Sequence, residues 1–210
     1  AVSLGHQVAS AADINRAASA GATLLTHLGN GMPSSIHRHN NPLWPGLADD
    51  RLSAMLITDG QHLPSEVIAA FVRAKGLERC IVTSDCAPVA GLPDGEYEAL
   101  GGRVSVEGEH VRSADRQYLA GSGALMLACV NHLASLPFSS RPGAPPGLEL
   151  RDLEEVAFFN PLRALGEDPH AVLEAWAGRP GLLSCVRDSP RSGLRFVRAS
   201  QINPAPGEPR

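Results

Sequence analysis

Ser53-Ala-Met-Leu-Ile57, followed at once by Thr58-Asp-Gly-Gln-His62, is a short apolar run that ends in a polar cluster. The pattern occurs three more times, with apolar runs before the polar clusters Gly5–His6, Thr26–Asn30 and Thr83–Asp85. Short apolar runs that alternate with amphipathic helices are typical of parallel strands joined by helical crossovers. We therefore expect each cluster to lie at the carboxyl end of a parallel strand, where a β/α barrel presents its catalytic groups.

The segments between these runs predict helices. Ser10, with Asp13 three residues later, has the spacing of a capping box, and Gly21 is suited to end that helix. Pro64 and Gly76 bracket a second amphipathic helix. The predicted parallel strands cover residues 1–4, 22–25, 53–57 and 80–82.

The pattern changes after the fourth cluster. Turn signals at Gly91–Gly95 and Gly101–Gly102 indicate a small hairpin. A helix is expected from Ser122 to Leu136, and the segment Pro137–Gly147, rich in proline and glycine, predicts a loop.

The last third of the chain gives weaker signals. Asp152 is expected to cap a helix, with Glu155 at the capping-box position, and Asn160-Pro161 should interrupt that helix. Beyond it we predict two strands and a frayed tail, at Gly181–Val186, Leu194–Val197 and Gln201–Arg210.

Composition narrows the class of protein. The 210 residues are 43% hydrophobic, which is enough for a sizeable core. The 18 basic and 22 acidic residues give a net charge of −4 without a basic stripe, which argues against nucleic acid as the main partner. No apolar run approaches the roughly 18 residues of a membrane span, and no basic and apolar leader opens the chain. With four scattered cysteines, expected to be reduced thiols, we predict a cytoplasmic protein that acts on a small metabolite.

His6, His27 and Asp85 supply atoms that bind divalent metals. Two neutral imidazoles with a carboxylate suit zinc or ferrous iron, and a hydrolytic site keeps one position open for water. Asp85 can then act as a general base and later as a general acid. Because a single strand-end histidine is more often a packing or hydrogen-bonding residue, the metal-site hypothesis depends on the strand-end position that all three share.

Asn30 and His62 are candidates for substrate contact, since both follow strand ends and carry hydrogen-bonding side chains. Each can equally cap its own loop. The polar segment 36–41 contains Arg38 between His37 and His39, a combination suited to an anionic group such as a phosphate. The alternative is that this segment is a solvated loop.

Several segments resemble, in order and with compatible spacing, those of the N-acetylglucosamine-6-phosphate deacetylase family, which belongs to the amidohydrolase superfamily. The matching segments are Gly5-His6, Ala22–Pro33, Ile57–His62, Val82–Asp85, Ala90–Gly95, Leu119–Ser122 and Asn160–Gly166. They cover residues 1–166. An ordered series of this kind is much more specific than any one motif.

The resemblance implies a metal-dependent hydrolase that converts N-acetylglucosamine 6-phosphate to glucosamine 6-phosphate and acetate. The implied roles are metal binding for His6 and His27, acid–base catalysis for Asp85, and substrate binding for Asn30, Gly31, Arg38 and His62. The metal would be zinc or iron. The family's arginine matching Arg38 often serves a neighbouring subunit, so a homo-oligomer is expected. A polypeptide that completes the barrel is the other expected partner.

The fold implied is α/β, a partial TIM (β/α) barrel that corresponds to the last four βα units of an amidohydrolase barrel. Residues 1–170 would form the partial barrel catalytic domain, and residues 171–210 a C-terminal segment, the remnant of a small β domain. The family's early strands, one of which carries a glutamate metal ligand, have no counterpart in the sequence. Four strands do not close a barrel.

Three explanations compete: a fragment of a longer enzyme, a chain that pairs to complete a barrel, and a degenerate relative. We favour the first, and expect weak or absent activity from this chain alone. Two other functions stay open. One is a non-catalytic sugar-phosphate binding or assembly module, and the other is an amidohydrolase that acts on another amide, such as a cyclic ureide.

Overall fold

The computed structural model describes residues 1–115, 118–138, 147–177, 183–186 and 194–198. The predicted α/β class is confirmed, because a parallel sheet in the order β1-β2-β3-β4 alternates with helices. Its strands are β1 (Ser3–Leu4), β2 (Leu24–Leu25), β3 (Ser53–Ile57) and β4 (Cys80–Thr83). Since neighbours in this parallel sheet are neighbours in sequence, the four carboxyl ends lie along the same edge.

The parallel strands are joined through α1 (Ala11–Ser19), α2 (Leu43–Ala48) and α3 (Ser65–Lys75). The predicted capping box of α1 is confirmed: the Asp13 carboxylate accepts from the Ser10 N–H at 2.9 Å, and Ser10 Oγ accepts from the Asp13 N–H at 3.3 Å. Gly76, with φ of 75°, follows the last residue of α3 as predicted. The sequence does not predict α2, because Pro45 lies inside it; in the first turn of a helix the missing N–H of proline has no helical partner to lose.

A second, antiparallel sheet follows in the order β5-β6-β7-β8. Its strands are β5 (Gly95–Ala99), β6 (Gly102–Glu107), β7 (His110–Ser113) and β8 (Leu119–Ser122). The prediction of one small hairpin therefore covers only part of this sheet. A separate apolar cluster that includes Val104, Val106 and Val111 packs inside it. The sequence signal for the other two strands is weak because β7 and β8 have only four residues each, too few for a clear alternating pattern.

The helix predicted from Ser122 begins only at Met126, as α4 (Met126–Ser135). Ser122 ends β8 instead and pairs with Cys86 in an isolated bridge beyond β4. The Ser122 N–H donates to the Asp85 carbonyl at 3.1 Å, and the Ser122 carbonyl accepts from the Ala87 N–H at 2.8 Å. These bonds bring the end of the antiparallel sheet to the carboxyl end of β4.

The next helical elements are α5 (Leu150–Glu154), a π-helical turn (Glu155–Phe159), α6 (Asn160–Leu165) and α7 (Pro169–Trp176). The predicted cap at Asp152 is wrong. Glu149 is the N-cap, and Asp152, inside the first turn, accepts from the Glu149 N–H at 2.9 Å. The predicted interruption at Asn160-Pro161 is also wrong, because Pro161 lies in the first turn of α6, where a helix tolerates proline.

The two strands predicted near the C-terminus are present as β9 (Leu183–Val186) and β10 (Arg195–Arg198), and they form an antiparallel pair. Asn131 of α4 attaches β10, since its side chain donates to the Phe196 carbonyl at 2.9 Å and accepts from the Phe196 N–H at 2.6 Å. The predicted tail at 201–210, residues 181–182 and most of the predicted loop at 137–147 lie outside the described residues. The domain division at residue 170 stays a prediction.

The main apolar core lies between the parallel sheet and the helices. Its almost fully buried members include Ile14 of α1, Leu56 of β3, Ile68 of α3, Leu133 of α4 and Val156. Burial of one such side chain stabilises a fold by roughly 1.5–3 kcal/mol, so this core fixes the strands whose ends carry the polar clusters. Among the described residues, no helix has the length and apolar character of a membrane span.

Candidate active site

Three of the predicted site residues share an uncommon backbone conformation. His6, His27 and Asp85 have φ angles of 49°, 28° and 48°, and Leu100 is the only other non-glycine residue with positive φ in the described part of the chain. Each such residue costs about 1–3 kcal/mol and persists where the surrounding structure over-determines it. All three follow parallel strands, so the strained positions lie along one edge of the sheet. Strain concentrated in this way is typical of a functional site.

The imidazoles of His6 and His27 meet edge to face. Their Nε2 atoms are 2.9 Å apart, and their ring centroids are 4.7 Å apart at an interplanar angle of 84°. Two imidazole nitrogens on one tetrahedral zinc ion, each about 2.0–2.1 Å from it, are about 3.3 Å from each other. The observed separation is close to that value, and it also accommodates a hydrogen bond between one protonated and one unprotonated nitrogen.

His27 is the more enclosed of the two histidines, with 6% of its surface exposed, whereas His6 is exposed. His27 Nδ1 is buried and makes no hydrogen bond within the described residues. Gly31 lies against both rings, because a Cβ there would be 2.8 Å from His27 Cε1 and 2.9 Å from His6 Nδ1. The Gly31 backbone therefore closes one side of the pair.

One cavity of about 350 Å³ is lined by most of the predicted site residues. Its lining consists of His6, His27, Asn30, Gly31, Ile57, Gln61, His62, Asp85, Leu119 and Gly121. Arg38 is the predicted residue that does not line it. The volume falls within the roughly 300–1,000 Å³ of small-molecule sites, and the lining is rich in hydrogen-bonding groups.

A divalent metal fits the histidine pair, because both Nε2 atoms approach a common position. Within the described residues, however, no three His, Cys, Asp or Glu side chains are arranged closely enough to hold an ion. Asp85 lines the same cavity without joining the pair. These residues therefore supply two ligands, and a tetrahedral site needs further ones.

Asp59 is a buried carboxylate that accepts four hydrogen bonds. Its Oδ1 accepts from the backbone N–H groups of Gln61 at 2.9 Å and His62 at 3.0 Å. Its Oδ2 accepts from His62 Nδ1 at 2.7 Å and from Ser122 Oγ at 2.9 Å. Burial alone would raise the pKa of Asp59, but the hydrogen bonds from the His62 side chain and from the two backbone N–H groups outweigh it and hold that pKa well below its usual range.

Two residues of this network, Asp59 and Ser122, are absent from the predicted site. The local signal for Asp59 is its place three residues before His62, since an aspartate at the start of a loop accepts from backbone N–H groups that follow it. Ser122 closes the matching segment Leu119–Ser122, but no local signal indicates its contact with Asp59, because the two residues are 63 positions apart in the chain.

The loop that carries Arg38 is held by its neighbours. His37 Nδ1 accepts from the N–H groups of His39 at 3.2 Å and Asn40 at 2.9 Å, so His37 caps its own loop. Trp44 Nε1 donates to the Arg38 carbonyl at 2.7 Å. The Arg38 side chain is exposed. A role for Arg38 in phosphate binding stays a prediction.

No protein-family model matches the chain. The chain is 34% identical over 168 residues to N-acetylgalactosamine-6-phosphate deacetylase of Escherichia coli O157:H7, a match that covers 80% of the chain and 41% of that relative. It is 33% identical over 143 residues to a protein of Escherichia coli K12 provisionally named N-acetylgalactosamine-6-phosphate deacetylase, covering 68% of the chain and 78% of that protein.

Solved structures give the same result. A mutant of N-acetyl-D-glucosamine-6-phosphate deacetylase from Mycobacterium smegmatis, in complex with N-acetyl-D-glucosamine-6-phosphate, matches with a TM-score of 0.69 and 28% identity. The match covers 79% of this chain and 42% of that one.

The names of these similar proteins, one of them provisional, all describe deacetylases of N-acetylated amino-sugar 6-phosphates, a class of hydrolase. The chain belongs to the N-acetylglucosamine-6-phosphate deacetylase family. The resemblance identified from residues 1–166 is thereby confirmed. The chain spans about two fifths of the length of the Escherichia coli O157:H7 relative and of the Mycobacterium smegmatis structure.

Proposed function

We propose that the chain is part of an enzyme that hydrolyses the acetamido group of N-acetylglucosamine 6-phosphate to give glucosamine 6-phosphate and acetate. The observation that carries the proposal is that three strained strand-end residues, His6, His27 and Asp85, line one cavity. Family membership supports the same reaction. The cavity is also lined by the residues that the resemblance links to the sugar phosphate, Asn30, Gly31 and His62.

His6 and His27 are the proposed metal ligands, through their Nε2 atoms. Zinc or ferrous iron, when bound, supplies Lewis-acid polarisation of the amide carbonyl and lowers the pKa of a bound water. The buried His27 ring, packed against Gly31, fixes one ligand direction, and His6 completes the pair from the surface. Two imidazoles leave room for a further ligand, substrate and water.

Asp85 is the proposed general base and general acid. Its carboxylate takes a proton from water as the water oxygen bonds to the acetamido carbonyl carbon. It then returns the proton to the amine nitrogen as the C–N bond breaks and acetate leaves. Asp85 is exposed at the cavity, where water and substrate can reach it. The hydrogen bond from the Ser122 N–H to the Asp85 carbonyl supports the strained backbone there.

N-acetylgalactosamine 6-phosphate is a second candidate substrate, because two of the relatives carry this sugar phosphate in their names. The two sugars differ in the configuration of one ring hydroxyl. A side chain that contacts this hydroxyl would decide between them, so both sugars belong in any substrate assay.

We also propose that the four parallel strands correspond to the last four βα units of an amidohydrolase barrel. The strand order and the match to about two fifths of the Mycobacterium smegmatis structure support this assignment. A completing polypeptide or a second subunit would then contribute strands beside β1 and β4. It would also contribute further metal ligands, and the exposed Arg38 would be free to serve a neighbouring phosphate site.

Acetate release from the two N-acetylated sugar phosphates, with zinc or ferrous iron added, tests the proposed reaction. Because the described residues supply only two metal ligands, we expect at most slow release from the parent protein, none from Asp85→Asn, and calorimetry to show that Asp85→Asn still binds the sugar phosphate. Asp50→Asn, at an exposed aspartate outside the cavity, is the matched control and should behave as the parent. Even slow release is diagnostic when Asp85→Asn removes it. Equal release from Asp85→Asn and the parent would refute the assigned role.

A further inference from the structure

We infer that Asp59 and Ser122 form a positioning pair for His62, which holds the ring proton on Nδ1 and presents Nε2 to the cavity as a hydrogen-bond acceptor. Neither member of the pair lines the cavity, so both act through His62. The inference rests on the proposed function only for the identity of the ligand that meets Nε2.

The contacts of Asp59 fix the direction of its carboxylate. Oδ1 is held by the backbone N–H groups of Gln61 and His62, at 2.9 Å and 3.0 Å. Oδ2 therefore has to face His62 Nδ1, at 2.7 Å. An ionised carboxylate only accepts hydrogen bonds, so the nitrogen in contact with it carries the proton. In the neutral ring this leaves Nε2 unprotonated.

The position of His62 makes Nε2 available to a ligand. The His62 side chain is 9% exposed, the Asp59 side chain is fully enclosed, and His62 lines the same cavity as the histidine pair. Within the described residues, no hydrogen bond occupies His62 Nε2. The neutral ring therefore accepts from a hydroxyl group of the ligand, whether on the sugar or on a protonated phosphate.

Ser122 extends this support to the acid–base residue. Its hydroxyl donates to Asp59 Oδ2 at 2.9 Å and accepts from the Ala124 N–H at 3.0 Å, so the direction of its proton is set. Its backbone N–H donates to the Asp85 carbonyl at 3.1 Å. One buried serine thus bonds both to the carboxylate that orients His62 and to the backbone of Asp85.

The substitution Asp59→Asn tests the inference, because it preserves the shape of the side chain and replaces one acceptor oxygen by a donor. The asparagine carbonyl has to stay on the two backbone N–H groups, which puts its NH₂ group where Oδ2 was. His62 Nδ1 then faces a donor and has to accept, so the ring proton moves to Nε2. Nitrogen NMR of histidine-labelled protein without ligand, at alkaline pH where the ring is neutral, reads the tautomer directly. We expect the Nδ1–H form in the parent and the Nε2–H form in Asp59→Asn.

Ser122→Ala is a second variant that keeps every backbone bond of Ser122. We expect it to keep the Nδ1–H form, because the two backbone N–H groups still direct Asp59 and its ionised carboxylate still only accepts, but to bind the sugar phosphate more weakly; Ser122→Thr, which keeps the hydroxyl, should recover the parent binding. Ser105→Ala is the matched control, because Ser105 is also a buried serine, 7% exposed, and its hydroxyl donates to Glu107 in the antiparallel sheet. It should leave His62 unchanged. A parent protein with the proton on Nε2, or an Asp59→Asn variant with the proton still on Nδ1, overturns the inference.

Binding of N-acetylglucosamine 6-phosphate separates this inference from the proposed function. Because a misdirected Nε2 loses one hydrogen bond, Asp59→Asn should bind about tenfold more weakly than the parent, and Ser105→Ala should bind equally well. If the parent has the Nδ1–H form but does not bind this sugar phosphate, the positioning pair stands and the proposed function fails. If the parent binds it with the proton on Nε2, the positioning pair fails and the proposed function stands.

Discussion

His6 and His27 lie 21 residues apart in the chain, yet their Nε2 atoms are 2.9 Å apart. The strand register explains this, because Leu4 of β1 pairs with Leu25 of β2 and each histidine follows its leucine by two residues. Both residues also have positive φ, which turns their side chains in the same sense at the same edge. The histidine pair is therefore a product of parallel register and shared backbone conformation.

Replacing one member of the histidine pair should weaken metal binding. We expect His27→Ala to lower the affinity for zinc by about tenfold or more, since it removes one of two converging imidazoles, and loss of even an outer-shell partner costs about 10–100-fold. His39→Ala removes an exposed imidazole of the 36–41 segment and is the control. Calorimetric titration with zinc measures both. Unchanged affinity in His27→Ala would mean that the metal binds elsewhere.

Acid should destabilise the chain through Asp59. The pKa of this carboxyl in the folded chain lies below its ordinary value of 3.8, so its stabilising effect is complete above that value and is lost as the pH falls toward the folded pKa. We expect the free energy of unfolding to fall below about pH 4, and to fall less steeply in Asp59→Asn, which cannot titrate. Urea unfolding at a series of pH values measures this.

Asp49 supplies an internal reference for that experiment. Hydrogen bonds from Arg51 lower the pKa of Asp49 to about 2, so it contributes acid sensitivity of the same sign that persists in Asp59→Asn. Identical pH profiles for the parent and Asp59→Asn would contradict the assignment of acid sensitivity to Asp59.

Asn160 should be a strong stabilising residue. It is 5% exposed, and its amide nitrogen donates to the carbonyls of Leu77 and Cys80, each at 2.8 Å, which attaches α6 to the start of β4. Asn160→Ala leaves both carbonyls without this donor and should lower the free energy of unfolding by about 2 kcal/mol. Asn40→Ala, at an exposed asparagine, should stay within about 0.5 kcal/mol. Chemical denaturation measures the free energy of unfolding of both variants. Similar losses in both would show that the buried Asn160 amide contributes no more to stability than an exposed one.

Gly60 should tolerate alanine less well than Gly91. The two glycines have φ of 79° and 80°, so alanine adds a similar left-handed strain of about 1–2 kcal/mol at either position. A Cβ at Gly60 would lie 2.7 Å from His132 Cε1, whereas nothing lies within 4 Å of one at Gly91. Thermal unfolding should show a larger loss of stability for Gly60→Ala than for Gly91→Ala. His62 should shift together with the loop that carries Gly60. Equal losses of stability in the two variants would show that the His132 side chain moves aside freely.

Local signals predicted much of the parallel sheet. The strand Ser53–Ile57 has the predicted bounds, and the capping box of Ser10 and Asp13 forms as expected, because each depends on residues close together in the chain. The antiparallel sheet was underestimated because two of its strands, β7 and β8, have only four residues each and give little alternating pattern. The helix start at Met126 was misplaced because Ser122 bonds to Asp85 and Ala87, contacts that only the folded chain creates.

The same distinction, between local sequence signals and contacts that only the folded chain creates, applies to the candidate site. Residues directly after parallel strands, such as His6, His27 and Asp85, reach one cavity because the strand ends define where it lies. Arg38 follows no strand of the sheet, and its loop is organised by His37 and Trp44 instead. The support that Ser122 gives to Asp59 spans 63 residues and depends on how two sheets meet, which no short motif records.

The antiparallel sheet leaves the parallel one after Asp85 and returns at Ser122. The turn at Leu100-Gly101, between β5 and β6, borders a cleft that also contains His6 and Asp85. The excursion is thus a module that is attached to the parallel sheet at two points, and its turn at Leu100-Gly101 lies beside that cleft. Lengthening or trimming this turn offers protein engineers a way to alter which ligands enter the cleft, while the hydrogen bonds of Ser122 with Asp85 and Ala87 stay untouched.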